Sequence, residues 1–255
     1  MKNNYEPKPK FIERMKLLLD NEEDLKKFFE VAKTIGKKSI RVNTLKISPD
    51  ELITRLKNKG WNISQPFQKF PETSKFIQKN LDSHQEMQFP EIIQIDSILE
   101  PGELGKATEH ILGYYYVQEI TSMMPILALQ PKEDEILLDL CASPGSKTTQ
   151  AASMMENSGV IVANEVSMGR LGILSANLER CGVANVIVTK KDGFALCNNL
   201  WKKTAIRFDK ILVDAPCSGE GTLRKSPKTF LMWNEDMIKK IAGIQKGLAE
   251  GAFKI

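Results

Sequence analysis

The chain has 255 residues, 42% of them hydrophobic and 27% charged, with a formal net charge of +4. That length supports a sizeable core, in one large domain or one domain with a smaller companion, and the mild basic excess permits a nucleic-acid partner without demanding one. Four cysteines (Cys141, Cys181, Cys197, Cys217) without paired Cys-x-x-Cys spacing, and two histidines (His84, His110), argue against a zinc site and for a reduced, cytoplasmic protein without disulfides; no apolar run approaches membrane-spanning length, and the charged start lacks the apolar core of a signal peptide.

From Phe11 to about Ala32, apolar residues at helical spacing (Phe11, Met15, Leu18, Leu19, Leu25, Phe28, Phe29) predict one or two amphipathic helices, read most simply as solvated on their Lys/Glu face. Gly36 breaks that pattern, and Ser39 to Leu45 alternates like a strand. Ser48-Pro49-Asp50-Glu51 predicts a helix start, with Ser48 as N-cap, Pro49 at the first helical position and Glu51 completing a capping box; the helix carries Leu52, Ile53 and Leu56 and ends near Gly60. Residues 61 to 110 read as a small α+β unit. The three tyrosines of Leu112 to Glu119 suit either base stacking or, the commoner use, a core. A helix from Thr121 to about Ala128 follows, packed through Met123, Met124, Ile126 and Leu127.

After Pro131 the pattern becomes regular βα alternation. Strands are expected at Glu135–Leu140, Gly159–Ala163, Asn185–Val188 and Phe208–Val213, with helices at Pro144 to about Met155 and at Ser167–Arg180. Strands separated by helical segments imply a parallel, doubly wound sheet. Lys210 to Val213 reads as a strand buried on both faces.

Chemistry-bearing residues recur at the ends of these strands, where open α/β sheets bind ligands. Asp139-Leu140-Cys141-Ala142-Ser143-Pro144-Gly145-Ser146-Lys147 is a strand-to-helix turn whose glycine and free helix-start amides suit an anionic group. A phosphate loop would need glycines where Cys141 and Ser146 stand, which excludes an NTPase reading. Glu165, after the next strand, is placed to accept the two hydroxyls of a ribose, and Asp192, after the third, an adenine amino group. Each acid alone also reads as a helix cap; four in succession, with Asp214 on the last strand, point to a nucleoside site. Behind Asp214, Pro216 stiffens the chain before Cys217, so a carboxylate and a thiol leave the same strand end.

The segments DLCASPGSKT, ANEVSMGRLGILSANLERCG, VTKKDG and FDKILVDAPCSGEG closely resemble RNA cytosine-carbon-5 methyltransferases of the Nol/Nop/Sun family, and SIRVNTLK and LGYYYVQEITSMMP resemble that family's upstream segments. The likeness covers roughly residues 36 to 250. It implies an α/β, Rossmann-like fold that binds S-adenosylmethionine, preceded by a small α+β domain. The expected division is a helical segment at 1–35, an RNA-facing domain at 36–112 and a methyltransferase domain at 113–255. It also implies that the backbone of Cys141, Ala142, Ser143, Pro144, Gly145, Ser146 and Lys147 cradles the methionine end of the cofactor. Glu165 would bind the ribose, Asp192 the adenine and Asp214 would sit near the methyl donor and the target base, with Arg170 supporting the site and Lys147 orienting cytosine or Asp214.

The chemistry implied begins with addition of a thiolate at cytosine carbon 6, which makes carbon 5 nucleophilic. Methyl transfer from the sulfonium and loss of the carbon-5 proton then expel the thiol. In the family the cysteine matching Cys217 assists product release, and the attacking thiol belongs to a downstream Thr-Cys-Ser motif. That motif does not occur in these 255 residues, so the expectation is a C-terminally truncated form. Two other readings stand beside it: a catalytically impaired module that binds RNA or cofactor, and attack by Cys217 itself, as in DNA cytosine methyltransferases. The expected partner is structured RNA, with tRNA ahead of rRNA. No metal is expected, and the oligomeric state stays open. Basic residues at Lys2, Lys8 and Lys10, at Lys37, Lys38 and Arg41, and at Arg224, Lys225 and Lys228 are the candidate phosphate contacts, the last group foremost.

Overall fold

The computed structural model describes residues 6–34, 36–67 and 89–255. Lys2, His84 and the part of the expected α+β unit at 68–88 lie outside the described residues. Helices α1 (Pro9–Leu18) and α2 (Glu22–Ala32) begin the described chain. Pro9 opens α1, and α2 is capped by the Asn21 side chain, which accepts from the Asp24 amide at 2.9 Å, with Glu22, Glu23 and Asp24 at the positive end of the helix dipole. Phe11, Met15 and Leu25 are buried with Leu223, Phe230 and Trp233. The amphipathic face is thus covered by the segment that follows the last strand, while Leu17 and Leu18 point outward.

A four-stranded antiparallel sheet follows, in the order β2-β3-β1-β4, from β1 (Lys38–Val42), β2 (Ile63–Ser64), β3 (Ile92–Ile95) and β4 (Tyr115–Val117). Its register pairs Ile40 with Ile93 on one side and with Val117 on the other. Side chains alternate across a strand. Ile40 and Val42 therefore join Leu52 and Leu56 of α3 (Pro49–Asn58), Trp61, Ile93, Ile95 and Tyr115 in one core. Ser39 and Arg41 face the other way and are buried too, because the second half of the chain covers that face. The Arg41 Nη2 donates to Thr149 Oγ1 at 2.8 Å, and burial pulls the guanidinium down to about 10.

Ser48 caps α3 as expected, accepting from the Glu51 amide at 3.3 Å, but Glu51 does not complete the box; its carboxylate takes Arg55 one turn on. Tyr115 and Tyr116 are both buried, which removes them as stacking platforms. The strand they form lies beyond residue 112 and pairs with β1.

Helix α4 (Ile120–Leu129) leads into the second sheet, made of β5 (Ile136–Asp139), β6 (Val160–Asn164), β7 (Val186–Thr189) and β8 (Lys210–Leu212). Helices α5 (Ser146–Met154), α6 (Met168–Cys181) and α7 (Gly193–Lys203) connect them. All pairings are parallel and the order is β7-β6-β5-β8, so the chain steps one way from β5 to β7 and then returns to the other side of β5. The reversal makes the carboxyl ends of β5 and β8 a topological switch point, where a crevice opens. Leu137 and Leu138 of the inner strand are fully buried. Lys210 to Val213 is covered on both faces, Leu212 packing with Leu137 and Ile161 and, on the other side, Ile211 and Val213 with Leu138 and Leu248, though Lys210 and Ile211 are only half-buried, and among the described residues β8 pairs along one edge only. The helix α8 (Glu235–Ala252), capped by Asn234 onto the Met237 amide, packs on α7.

The two halves meet through polar contacts, buried at Asn43 and exposed at Lys46. Asn43 donates to the carbonyls of both Gly113 and Cys181 at 2.8 Å, and Lys46 to those of Leu112 and Arg180. A Cβ on Gly113, whose φ is +74°, would stand 1.9 Å from the Arg180 carbonyl oxygen. Glycine is required where the two halves touch.

Candidate active site

Strand order aligns the loops that carry the candidate residues. Neighbouring strands lie ~4.8 Å apart, so the carboxyl ends present, in sequence across the sheet, Asp192 after β7, Glu165 after β6, Asp139 at the end of β5 and Asp214 after β8. The acids anticipated one by one along the chain stand in one row.

The turn after β5 is closed by backbone. Ala142 N donates to the Asn164 carbonyl at 2.9 Å and Gly145 N to that of Ala142 at 2.7 Å. The Ser143–Pro144 peptide is cis, and Gly145 takes φ +101° as the N-cap of α5. That helix therefore begins at Ser146 and not at Pro144, and its first amides, which have no partner within the helix, open beside the turn. Ala142, Ser143, Gly145 and Lys147 are buried, Cys141 and Ser146 half-buried and Pro144 exposed.

Asp139 lies beneath the turn, 1% exposed, with Oδ2 accepting from Thr148 Oγ1 at 2.7 Å. Burial pushes its carboxyl up to about 6; the Thr148 bond opposes that shift and the neighbouring Asp214 charge adds to it. Burial, reinforced by Asp139, Glu165 and Asp214, likewise lifts the Cys141 thiol to about 11, so it stays protonated at neutral pH and is no nucleophile. Burial also raises Cys181 and Cys197.

Glu165 is 3% exposed. Its Oε1 accepts from the Ser167 amide at 2.8 Å and its Oε2 lies 3.4 Å from Arg170 Nη1. Arg170 also donates to the Ser143 carbonyl at 2.5 Å, and Ser143 Oγ returns a bond to the Arg170 carbonyl at 2.9 Å. Glu165, Arg170 and Ser143 thus form one unit tying the β5 turn to the start of α6. Asp192 is exposed and caps α7, accepting from the Ala195 amide at 2.9 Å.

On the other side of the switch point, Lys147 Nζ lies 2.7 Å from Asp214 Oδ2 and 3.1 Å from Ser122 Oγ. The lysine side chain is 11% exposed and the aspartate 53%, so a nearly buried cation meets a carboxylate that faces solvent. Three residues on, Cys217 is exposed, alone among the four cysteines. No hydrogen bond joins Lys147 to Cys217; the lysine is engaged by Asp214 and Ser122.

Two residues of this arrangement escaped the sequence reading. Asn164, 1% exposed, donates to the carbonyls of Leu140 and Lys191 and accepts from Thr189 Oγ1 and the Lys191 amide, binding the loops after β5, β6 and β7 together. Its signal was an amide side chain at the end of an apolar strand. Ser122 on α4 had no such signal, since only the fold brings it to Lys147. A groove of about 450 Å³ bordered by Lys59, Trp61, Glu103 and Lys106 lies in the first half of the chain and shares no residue with this site. Among the described residues no cluster of His, Cys, Asp and Glu is arranged to hold a metal ion.

Comparison with known proteins identifies the family and the fold. The Ribosomal RNA small subunit methyltransferase F of Vibrio vulnificus (strain YJ016) is 39% identical over 246 residues, covering 96% of this chain and 47% of that protein. Its namesake in Vibrio cholerae serotype O1 (strain M66-2) is 40% identical over 250 residues, covering 97% and 48%. The chain spans about half the length of these relatives. A methyltransferase homolog from Pyrococcus horikoshii superposes with a TM-score of 0.69 at 30% identity over 97% of this chain and 73% of that one. The NSun6 structure from the same organism, determined with SFG, an analogue of S-adenosylmethionine, superposes with a TM-score of 0.72 at 25% identity over 96% and 79%. The family model described as 16S rRNA methyltransferase RsmB/F matches residues 126–255, and the chain belongs to that family of Rossmann-like, S-adenosylmethionine-dependent RNA methyltransferases, the Nol/Nop/Sun kinship expected from its motifs.

Proposed function

We propose that the crevice at the β5/β8 switch point binds S-adenosylmethionine and that the protein methylates carbon 5 of cytosine in ribosomal RNA. The observation carrying the reading is the Lys147–Asp214 pair beside the β5 turn, at the strand end that leads to the exposed Cys217. The expected order of RNAs is reversed, with rRNA ahead of tRNA, because the relatives are named for ribosomal RNA.

The donor set fits the cofactor. S-adenosylmethionine brings a sulfonium, an ammonium and a ribose diol, all complemented by carboxylates, and Asp139 Oδ1 is a buried acceptor that no side chain satisfies, with only the Cys141 amide near the carboxyl. The turn from Cys141 to Lys147 would hold the methionine end, Glu165 the ribose and Asp192 the adenine, with Arg170 keeping Glu165 and Ser143 in place. When bound, the group supplies an electrophilic methyl. Asp214, anchored by Lys147, would orient the cytosine, and Cys217 would act on the carbon-5 methylated adduct to release the product.

Tritiated methyl incorporation into small-subunit rRNA and into tRNA, compared between wild type and Cys217→Ala, tests the reading, with bisulfite mapping of the acceptor. Incorporation into rRNA is expected where a thiol outside these 255 residues attacks carbon 6, and Cys217→Ala would then accumulate a covalent RNA adduct. Incorporation abolished without an adduct would make Cys217 the attacking thiol. Cofactor binding without any incorporation would leave a binding module.

A further inference from the structure

The loop that carries Cys217 is held at both ends, and one holder comes from the far end of the chain. Lys147 fixes Asp214, and Gln245 of α8 donates to the Pro216 carbonyl at 2.8 Å. Past the thiol, Gly219 takes φ +77° and the chain turns into a short 3₁₀ segment at Glu220–Thr222. Glu220 gathers three donors: Arg14 Nε at 2.6 Å, Trp233 Nε1 at 2.8 Å and Ser218 Oγ at 3.0 Å. Burial alone would raise the Glu220 carboxyl, but bonds from Arg14, Trp233 and Ser218 bring it below the ordinary range.

Arg14 sits on α1, 206 residues from its partner. The helix is seated by Phe11, whose ring meets Trp233 edge-on at 5.2 Å and Phe230 at 5.3 Å, and Lys8 donates to the Trp233 carbonyl at 3.0 Å. The side chains of Arg14 and Glu220 are 36% and 20% exposed. A pair so exposed adds little to global stability. Its consequence is local: it fixes the carboxyl side of a loop whose amino side is fixed by Lys147, leaving Cys217 between two anchors.

We propose that Arg14 and Glu220 are positioning residues for Cys217, so that α1 acts as a brace for the thiol loop and not only as a cover for apolar side chains. The catalytic consequence rests on the methyl-transfer reading above; the mechanical one does not. A thiol displaced by about 1 Å from its acceptor loses on the order of a hundredfold in rate, and loosening one of two anchors falls short of that.

The test compares wild type with Arg14→Ala, Arg14→Lys and Glu220→Gln. Peptide-level amide hydrogen exchange reads the loop, and steady-state methyl transfer reads the thiol. In Arg14→Ala and Glu220→Gln, exchange across 215–222 is expected to rise about fivefold, as for loss of a partly exposed ion pair, while peptides covering 139–147 and the strands keep wild-type rates. The kcat is expected to fall about tenfold with the KM for S-adenosylmethionine unchanged, and Arg14→Lys to recover most of both. Unchanged exchange at 215–222, or a rise spread equally over the sheet, overturns the brace. If wild type transfers no methyl group while loop exchange still responds to Arg14, the functional reading fails and the brace stands.

Discussion

Lys147 Nζ and Asp214 Oδ2, 67 residues apart, meet at 2.7 Å across the crevice between β5 and β8. The contact joins the helix that starts the expected cofactor turn to the strand end that leads to the thiol. Lys147→Met keeps the apolar stem and removes the charge. Loss of a hydrogen bond between charged groups is worth about 1.5–3 kcal/mol, so kcat should drop by about ten- to a hundredfold. The dissociation constant for S-adenosylmethionine should move much less, because backbone and not the ammonium is expected to hold the cofactor. Titration calorimetry alongside turnover separates the two, and an equal loss in both would move Lys147 into the cofactor's own contacts.

Asp139 gives the protein a distinctive pH response. Its folded-state value of about 6 exceeds the ordinary ~3.9 of an aspartate. The folded protein therefore holds this proton more tightly than the unfolded chain. The group's contribution is most favourable below the unfolded value, declines as pH rises from about 4 to 6 and is then lost, a change of up to ~3 kcal/mol. Asp139→Asn keeps an oxygen for Thr148 and removes the titration. The stability difference between wild type and variant, from urea unfolding at pH 4.5 and 7.5, should widen in the variant's favour at the higher pH. Equal differences at the two pH values would show that Asp139 is not the titrating group.

What was legible in the sequence follows from range. Each parallel strand is a short apolar run ended by turn residues, and Ser48 and Pro49 mark a helix start within four residues, so local physics announces them. The acids at the strand ends were visible for the same reason. Strand order was not: nothing in the periodicity of Lys210 to Val213 says that it returns beside β5 and leaves one edge unpaired, because that pairing is settled by packing between distant segments. The same applies to β4, whose tyrosines left stacking open as the less common reading until its pairing with β1 buries them. Glu165 follows β6 as its apolar run implies, yet its enclosure by Arg170 and Ser143 depends on the fold. Arg14 lies on a helix whose charged face read as solvated, and nothing local marked it.

Gly145 and Gly172 make a matched pair of substitutions. Gly145 holds φ +101°, and a Cβ there would stand 3.1 Å from Leu174 Cδ1. Gly172 lies in the exposed interior of α6, with nothing within 4 Å of a Cβ. Gly145→Ala should cost about 1–2 kcal/mol of left-handed strain and weaken S-adenosylmethionine binding, since the strain falls within the turn. Gly172→Ala should stabilise the protein by about 1 kcal/mol through helix propensity and leave binding alone. Thermal unfolding with and without cofactor reports both. A neutral Gly145→Ala would mean that the turn adopts its shape for reasons other than the glycine.

Two basic groups that stand far apart in the sequence are brought together beside the thiol loop. Arg224 Nη2 lies 3.1 Å from the place a Cβ on Gly36 would take, next to Lys37 and Lys38, and Lys225 lies 3.4 Å from Glu119 Oε1. All four basic residues are exposed. If they form part of the RNA footprint, their work is phosphate neutralisation, which is read from the salt dependence of binding and not from affinity at a single ionic strength. Removing one lysine or arginine from a phosphate should lower the slope of log K against log salt by about 1, uniformly across RNA sequences. Arg224→Glu with Lys225→Glu should therefore flatten the slope by about 2 in fluorescence anisotropy titrations from low to moderate salt, with a somewhat smaller change if Glu119 already holds Lys225 in the free protein. A slope equal to wild type in the double variant would place the phosphate track elsewhere on the surface.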